Sequence, residues 1–328
     1  MRLNSPVLIA PVSHFLLLAI INPLMSNEPT KPPSGTATAD VKKPRIVAHR
    51  GASHAAPENT LPAFRLGFEE GADFVEGDFW LTRDERIVCL HDEDTRRVAP
   101  KQPIRRVRES TLAELRELDV GAWKDAKYAG TRIPTLEEVL AVVPADKGIF
   151  IEIKDDRPEI VKHLRRVLDE SRLEPRQVTI IAFDPVIIRA AKAALPRLKA
   201  HWLYWWHLNA NTGKLSNTPD EILHVSKSIK ADGLDINKSP WTTAEFAAQV
   251  RRAGLELHVY TVNDVSDAAR YVGLGVDSIT TDRPKGLRQE IDDHLRPVVS
   301  FVDREKVLTV KPDGTWEYKP SRPRKKEK

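Results

Sequence analysis

The stretch DFVEGDFWLTRDERIVCLHD, residues 73–92, contains two β-prone runs, 73–80 and 86–91, joined by little more than the polar segment Thr82-Arg83-Asp84-Glu85. Parallel neighbours in a sheet need a crossover of roughly a dozen residues or more, whereas antiparallel neighbours can be joined by a tight turn. These two runs are therefore expected to pair as an antiparallel hairpin. That pairing decides the fold, because the chain offers nine strand candidates: 45–49, 73–80, 86–91, 148–153, 177–182, 198–204, 231–235, 255–261 and 276–280. With the return strand of the hairpin set aside, eight remain. They alternate with amphipathic helical stretches such as TLPAFRLGFEEG, RPEIVKHLRRVLDESR and TAEFAAQVRRAG. The expectation is an α/β fold, a (βα)8 TIM barrel with an antiparallel β-hairpin addition after the second barrel strand. Gly71, Gly254 and Gly273 stand where helices should end on a residue tolerant of positive φ.

Residues two apart on a strand share a face, so Glu76 and Asp78 point one way and so do Glu152 and Lys154. His49-Arg50 closes the first strand, and His91-Asp92 closes the hairpin's return. In a barrel these carboxyl ends converge on the face where catalytic groups gather. Three converging carboxylates repel, by roughly 4 kcal/mol per close pair at about 4 Å and an effective dielectric near 20. Arg50 and Lys154 cannot neutralise three acids and also bind a substrate. A divalent metal, Mg²⁺ or Ca²⁺, suits such an all-oxygen set. His49 and His91 supply groups that exchange protons near neutral pH, and Arg50 and Lys154 can stabilise a phosphoryl group.

Together the motifs His49-Arg50-Gly51, Pro57-Glu58-Asn59-Thr60, Glu76-Gly77-Asp78, His91-Asp92 and Glu152-Ile153-Lys154 resemble those of the glycerophosphodiester phosphodiesterase family, in the family's order. The similarity runs through IPTLEEVL, AFDP and YTVND to LGVDSITTDRP, covering about residues 45–287. The resemblance implies a metal held at Glu76, Asp78 and Glu152, with His49 and His91 as general base and acid. It also implies hydrolysis of a small-molecule glycerophosphodiester to sn-glycerol 3-phosphate and an alcohol. Two departures, Tyr260 where the family often has Trp and Ala182 where it often has Ser, bear on substrate fit rather than chemistry. Rival readings are a lysophospholipase D or other phospholipid phosphodiesterase on the same barrel, and a non-catalytic envelope-binding module.

Composition sets the remaining bounds. The chain has 328 residues, 30% charged and 41% hydrophobic, enough for a large core. Its one cysteine, Cys89, lies in an apolar run and reads as a buried, inert thiol. The net charge of +4 matches that of the tail Ser321 to Lys328 alone, with five Lys or Arg and one Glu, so the rest is neutral. No nucleic-acid motif is present; the tail is either a weak membrane-surface contact or a solvated end.

Arg2 followed by the mostly apolar 7–24 reads as an export signal or N-terminal anchor over 1–25, and 26–43 as a flexible linker. The barrel should occupy 44–295, with a C-terminal hairpin and basic tail over 296–328. An exported protein, periplasmic or extracellular and potentially membrane-associated, is expected.

Four smaller readings complete the set. Asn59 or Thr60 caps a helix, and Glu58 supports either the loop or the site. Trp205 and Trp206 are candidates to wall the alcohol half of a substrate, with Trp202 in the core. The basic run from Arg96 to Arg108 either steers phosphate or forms a solvated loop. Other histidines, His54, His163, His201, His207, His224 and His258, have no spacing that compels metal binding and read as surface or core residues.

Overall fold

A computed structural model describes residues 43–209, 212–300, 306–310 and 316–320. The strands are β1 Arg45–Ala48, β2 Phe74–Leu81, β3 Ile87–Cys89, β4 Gly148–Ile153, β5 Val178–Ala182, β6 Lys199–Tyr204, β7 Gly233–Asn237, β8 Glu256–Tyr260 and β9 Ser278–Thr281. The helices are α1 Leu61–Glu69, α2 Leu112–Arg116, α3 Leu136–Ala141, α4 Ile160–Asp169, α5 Pro185–Ala194, α6 Pro219–Ser228, α7 Ala244–Arg252, α8 Val265–Leu274 and α9 Pro284–Ser300. Strand order is β1-β9-β8-β7-β6-β5-β4-β2-β3, and β1 also pairs with β2, which closes eight parallel strands into a barrel. β3 is the surplus strand. It runs antiparallel to the last three residues of β2, with Phe79 opposite Cys89 and Leu81 opposite Ile87, as the short TRDER turn requires.

Burial explains why these runs become strands. β4 and β5 are buried along their whole length, as parallel strands covered on both faces must be. Val47, Phe74, Phe150, Ile181 and Leu203 pack together within the ring of strands, while larger apolar clusters join strands to helices outside it. The excursion after β3 has its own small core of Val88, Leu90, Val107, Leu115 and Ile133. Thr-x-x-Glu capping boxes start α2, α3 and α6, with Thr111/Glu114, Thr135/Glu138 and Thr218/Glu221 each bonded in both directions.

Two details differ from the sequence reading. Gly273 lies inside α8, and the left-handed residue that ends the helix is Gly275, with φ 71°, whose N–H reaches the carbonyls of Tyr271 and Val272. Leu274 packs against the core, which carries the helix past the first of the two glycines. Helix α6 lies outside the helical stretches named from the sequence, although its Thr218-x-x-Glu221 box, Pro219 at the first helical position and Ile222, Leu223 and Val225 mark it.

Beyond the barrel, β10 (Lys306–Val310) and β11 (Trp316–Pro320) pair antiparallel, as expected of a hairpin. Its turn at Asp313-Gly314, the N-terminal segment 1–42 and the basic tail lie outside the described residues. No helix among the described residues is long and apolar enough to cross a membrane.

Candidate active site

At the carboxyl end of β2, Glu76 and Asp78 turn inward together, and Glu152 of β4 joins them. The three are buried, and one carboxylate oxygen from each lies within 4.8 Å of the others. Register places Asp78 directly beside Glu152. Burial first, then the neighbouring charges of Asp78 and Glu152, pushes the Glu76 carboxyl well above its usual range. The same causes, burial and Asp78, raise Glu152 to about 7. Burial alone would raise Asp78 too, but Arg50, Lys154, His91 and Asn59 hold it well below the ordinary range. The cluster therefore cannot keep three negative charges with only its own cations. Glu76 Oε1 is buried without a hydrogen-bond partner. An orphaned oxygen beside two more carboxylates fits the donor set of a hard divalent cation.

The two cations bracket the cluster. Lys154 Nζ is 2.8 Å from Glu152 Oε1 and 3.6 Å from Asp78 Oδ1. Arg50 Nε is 3.2 Å from Asp78 Oδ2, and its backbone N–H donates to Glu76 Oε2 at 2.9 Å. That backbone contact uses a left-handed Arg50, φ 55°, bonded through its carbonyl to a left-handed Asn59, φ 58°. Non-glycine residues adopt this region at a cost, and such residues gather at functional sites. Gly51, φ 80°, must be glycine on a second count: a Cβ there would lie 2.4 Å from the Ala63 carbonyl carbon of α1.

Each imidazole is anchored by a carboxylate. His49 Nδ1 lies 2.7 Å from Asp282 Oδ1, which also accepts from Ser53 Oγ at 2.9 Å. His91 Nδ1 lies 2.7 Å from Asp92 Oδ1. No described residue hydrogen-bonds the Nε2 of either ring, so those nitrogens are the ones free to exchange protons. Burial, its largest influence, draws His91 below the ordinary imidazole range, with Arg50 and Lys154 adding to the effect against Asp78 and Asp92.

All seven residues singled out from the sequence thus lie at the barrel mouth, the structure adds Asp282, and it gives Asn59, Glu58, Cys89 and Arg97 definite partners there. Asp282, the residue after β9, anchors His49. Its signal was an acid at the exit of the last strand. Asn59 is no cap: Thr60 caps α1, while Asn59 is buried, donating from Nδ2 to Asp78 Oδ2 at 2.7 Å and accepting the Asp78 N–H at 3.1 Å. The Cys89 thiol, buried as expected, contacts the same Asn59 oxygen at 3.1 Å. Glu58 is resolved as a bridge, accepting Arg50 Nη1 at 2.9 Å and Arg97 Nη1 at 2.7 Å, while Arg97 Nε also reaches Asp92 at 2.7 Å.

The basic run is therefore largely committed. Arg97 ties Glu58 to the carboxylate behind His91, Arg108 pairs with Asp155 and Asp156, and Arg96, Arg105 and Arg106 also face acids. This pairing leaves little free charge for steering.

Trp206 does not wall the mouth. It is buried against Phe246 and donates to Thr242 Oγ1 at 3.1 Å. Trp205, 49% exposed, does reach the mouth, in edge contact with Tyr260, which in turn meets Phe183. Lys154 Nζ sits 5.9 Å from the Phe183 ring centre. Trp202 packs partly buried between two apolar clusters.

The closed barrel and its acidic mouth flanked by two carboxylate-anchored imidazoles define a phosphodiesterase-type TIM barrel. Residues 49–286 match the profile of the glycerophosphoryl diester phosphodiesterase family. A glycerophosphodiester phosphodiesterase of Caldanaerobacter subterraneus is 34% identical over 253 residues, spanning 75% of this chain and 96% of the relative. One from Bacillus subtilis is 31% identical, spanning 73% of this chain and 83% of that one. The solved structure of an Oleispira antarctica phosphodiesterase in complex with the product sn-glycerol-3-phosphate superposes with a TM-score of 0.66 at 27% identity, covering 76% of this chain and 97% of that one. The chain belongs to the glycerophosphoryl diester phosphodiesterase family.

Proposed function

We propose that this protein hydrolyses glycerophosphodiesters to sn-glycerol 3-phosphate and an alcohol. The observation that carries the reading is the coexistence, at one barrel mouth, of three buried carboxylates with an orphaned oxygen and two imidazoles each presenting a free Nε2. Glu76, Asp78 and Glu152 would hold a divalent cation, Mg²⁺ or Ca²⁺, which supplies Lewis-acid polarisation of a phosphoryl oxygen. Arg50 and Lys154 bind the phosphodiester's remaining charge. His49 and His91 act as the acid–base pair, one taking the proton of the attacking oxygen as the other protonates the leaving oxygen. Burial draws His91 below the ordinary imidazole range, and Asp282 and Asp92 orient the two rings through their Nδ1 atoms. The family resemblance implies His49 as the base and His91 as the acid.

The recess beside His49, Arg50, Ser53 and Asp282, about 360 Å³, offers room for a glycerol phosphate. The test is release of glycerol 3-phosphate from glycerophosphocholine and glycerophosphoethanolamine with EDTA, Mg²⁺ or Ca²⁺. Metal-dependent turnover lost in Glu76→Ala and His49→Ala is expected, and absence of turnover with every metal would overturn the reading.

A second reading has a specific observation behind it. Phe183, 42% exposed, and Trp205 border an apolar recess of about 310 Å³ next to Lys154. A lysophospholipid could lay its apolar part there; Trp205→Ala should then slow a lysophospholipid far more than glycerophosphocholine. We further propose export directed by residues 1–25, tested by cell fractionation and sequencing of the mature N-terminus. A binding module without catalysis would have no use for the paired imidazoles.

A further inference from the structure

The amino ends of the barrel strands, away from the mouth, enclose a second convergence of ligating atoms that the proposed hydrolysis does not use. His201 of β6 and His258 of β8 are both fully buried, their rings stacked at 4.2 Å and 19°. Glu256, at the start of β8, directs Oε2 to within 3.4 Å of the Nε2 of each. Neither approach has hydrogen-bonding geometry: both His201 nitrogens, His258 Nε2 and Glu256 Oε2 are buried without partners. Buried polar atoms are almost always satisfied, so several orphans facing one another call for a common partner.

We propose that His201, Glu256 and His258 form a second cation site, of nitrogen–oxygen type, that takes Zn²⁺ or a similar late first-row divalent ion. A tetrahedral ion with bonds of about 2.1 Å sets its ligands about 3.4 Å apart, the spacing seen between Oε2 and each Nε2. Ser278 Oγ lies 2.7 Å from His258 Nδ1 and can accept a proton held on that nitrogen, the tautomer that leaves the Nε2 lone pair for a ligand bond. Lys199 engages the other Glu256 oxygen, while Oε2 has the Arg45 guanidinium at 3.8 Å, which an incoming cation would displace. Burial, the largest influence on both rings, draws His201 and His258 below the ordinary imidazole range, His258 to about 3.

Bringing both lone pairs onto one ion requires the stacked rings to splay, and His201, with neither nitrogen committed, is the ring able to turn. Gly233 of β7 lies between His201 and Glu256, and a Cβ there would meet His201 Cδ2 at 2.9 Å, so this room depends on glycine. The Glu256 side chain is 27% exposed beside its buried Oε2, so an ion would enter past it and draw a fourth ligand from solvent. Two imidazoles and one carboxylate select different ions from the all-carboxylate mouth.

The test uses the untagged full chain carrying Glu76→Gln and Glu152→Gln, whose mouth can no longer assemble three carboxylates. After chelation and dialysis it should take up one Co²⁺ per chain, with the intense visible absorption of four-coordinate cobalt, displaced by Zn²⁺. Adding His258→Asn should abolish uptake, and Ser278→Ala should weaken it about 10- to 100-fold. If the histidine variant does not fold, judged by circular dichroism, the serine variant decides alone. No stoichiometric uptake, or uptake that Ser278→Ala leaves unchanged, overturns the site. Neither result depends on whether the mouth hydrolyses glycerophosphodiesters.

Discussion

Replacing Asp282 by Asn should damage the enzyme more than removing the side chain altogether. Asp282 accepts His49 Nδ1 and Ser53 on Oδ1 and the Asn263 amide on Oδ2. A new amide at this position has one accepting end. Asn263 is held in place by accepting the Asp282 backbone N–H at 2.9 Å and the Thr281 hydroxyl at 2.9 Å, so its NH₂ continues to point at the former Oδ2. The amide oxygen must face it, and the new NH₂ must face His49. There it forces Nδ1 to accept, puts the ring's proton on Nε2, and disfavours the doubly protonated ring that proton transfer requires.

The charge term alone is about 4 kcal/mol at roughly 4 Å between charge centres and an effective dielectric near 20. With the two side chains 19% and 31% exposed, about half of it survives, worth roughly 30-fold in rate. Asp282→Ala, where water can replace the carboxylate, should lose about that much. Asp282→Asn adds the inverted tautomer and should approach a loss of about 10³-fold in kcat, within the usual worth of acid–base catalysis. KM and metal affinity should change little in both. Steady-state hydrolysis of glycerophosphocholine at saturating metal measures this. An Asn variant within roughly threefold of the parent, or an Ala variant as impaired as the Asn one, refutes the reasoning.

Three further outcomes follow from contacts at the mouth. Asn59→Ala frees Asp78 from its two hydrogen bonds, so half-saturation of activity should need about 10- to 100-fold more metal, read from Mg²⁺ and Ca²⁺ titrations. Glu152 carries its proton up to about pH 7 in the folded chain, above its unfolded value; without metal, stability should therefore fall as pH rises from about 4.5 to 7, by on the order of 3 kcal/mol. A divalent cation takes the proton's place, so the Tm gain on adding it should grow across the same window, and Glu152→Gln should flatten both trends in differential scanning fluorimetry. Gly51→Ala drives a methyl into the Ala63 carbonyl at positive φ and should cost about 3 kcal/mol or more in urea unfolding, against a small effect for Gly273→Ala, which lies inside α8 with open space around it.

The parts of this fold that were legible in the sequence obey short-range rules. Period-two alternation put Glu76 beside Asp78, and the length of one turn separated a hairpin from a crossover; neither needed knowledge of distant residues. Asp282 is 233 positions from the imidazole it anchors, and barrel closure through β1 and β9 alone makes them neighbours. Local spacing left Asn59 and Thr60 as alternative helix caps; Thr60 takes the cap, and the role of Asn59 depends on Asp78, which arrives from the next strand. Past the end of β6 the alternation lapses, so nothing local distinguished Trp205, which reaches the mouth, from Trp206, which fills the core. The same limit hid the histidine pair, because His201 and His258 meet across a β7 strand that contributes only a glycine between His201 and Glu256. Chemistry that one strand carries by itself can be read before folding. Chemistry assembled by the ring of strands depends on register, and a residue's usefulness there is set by what closure brings opposite it.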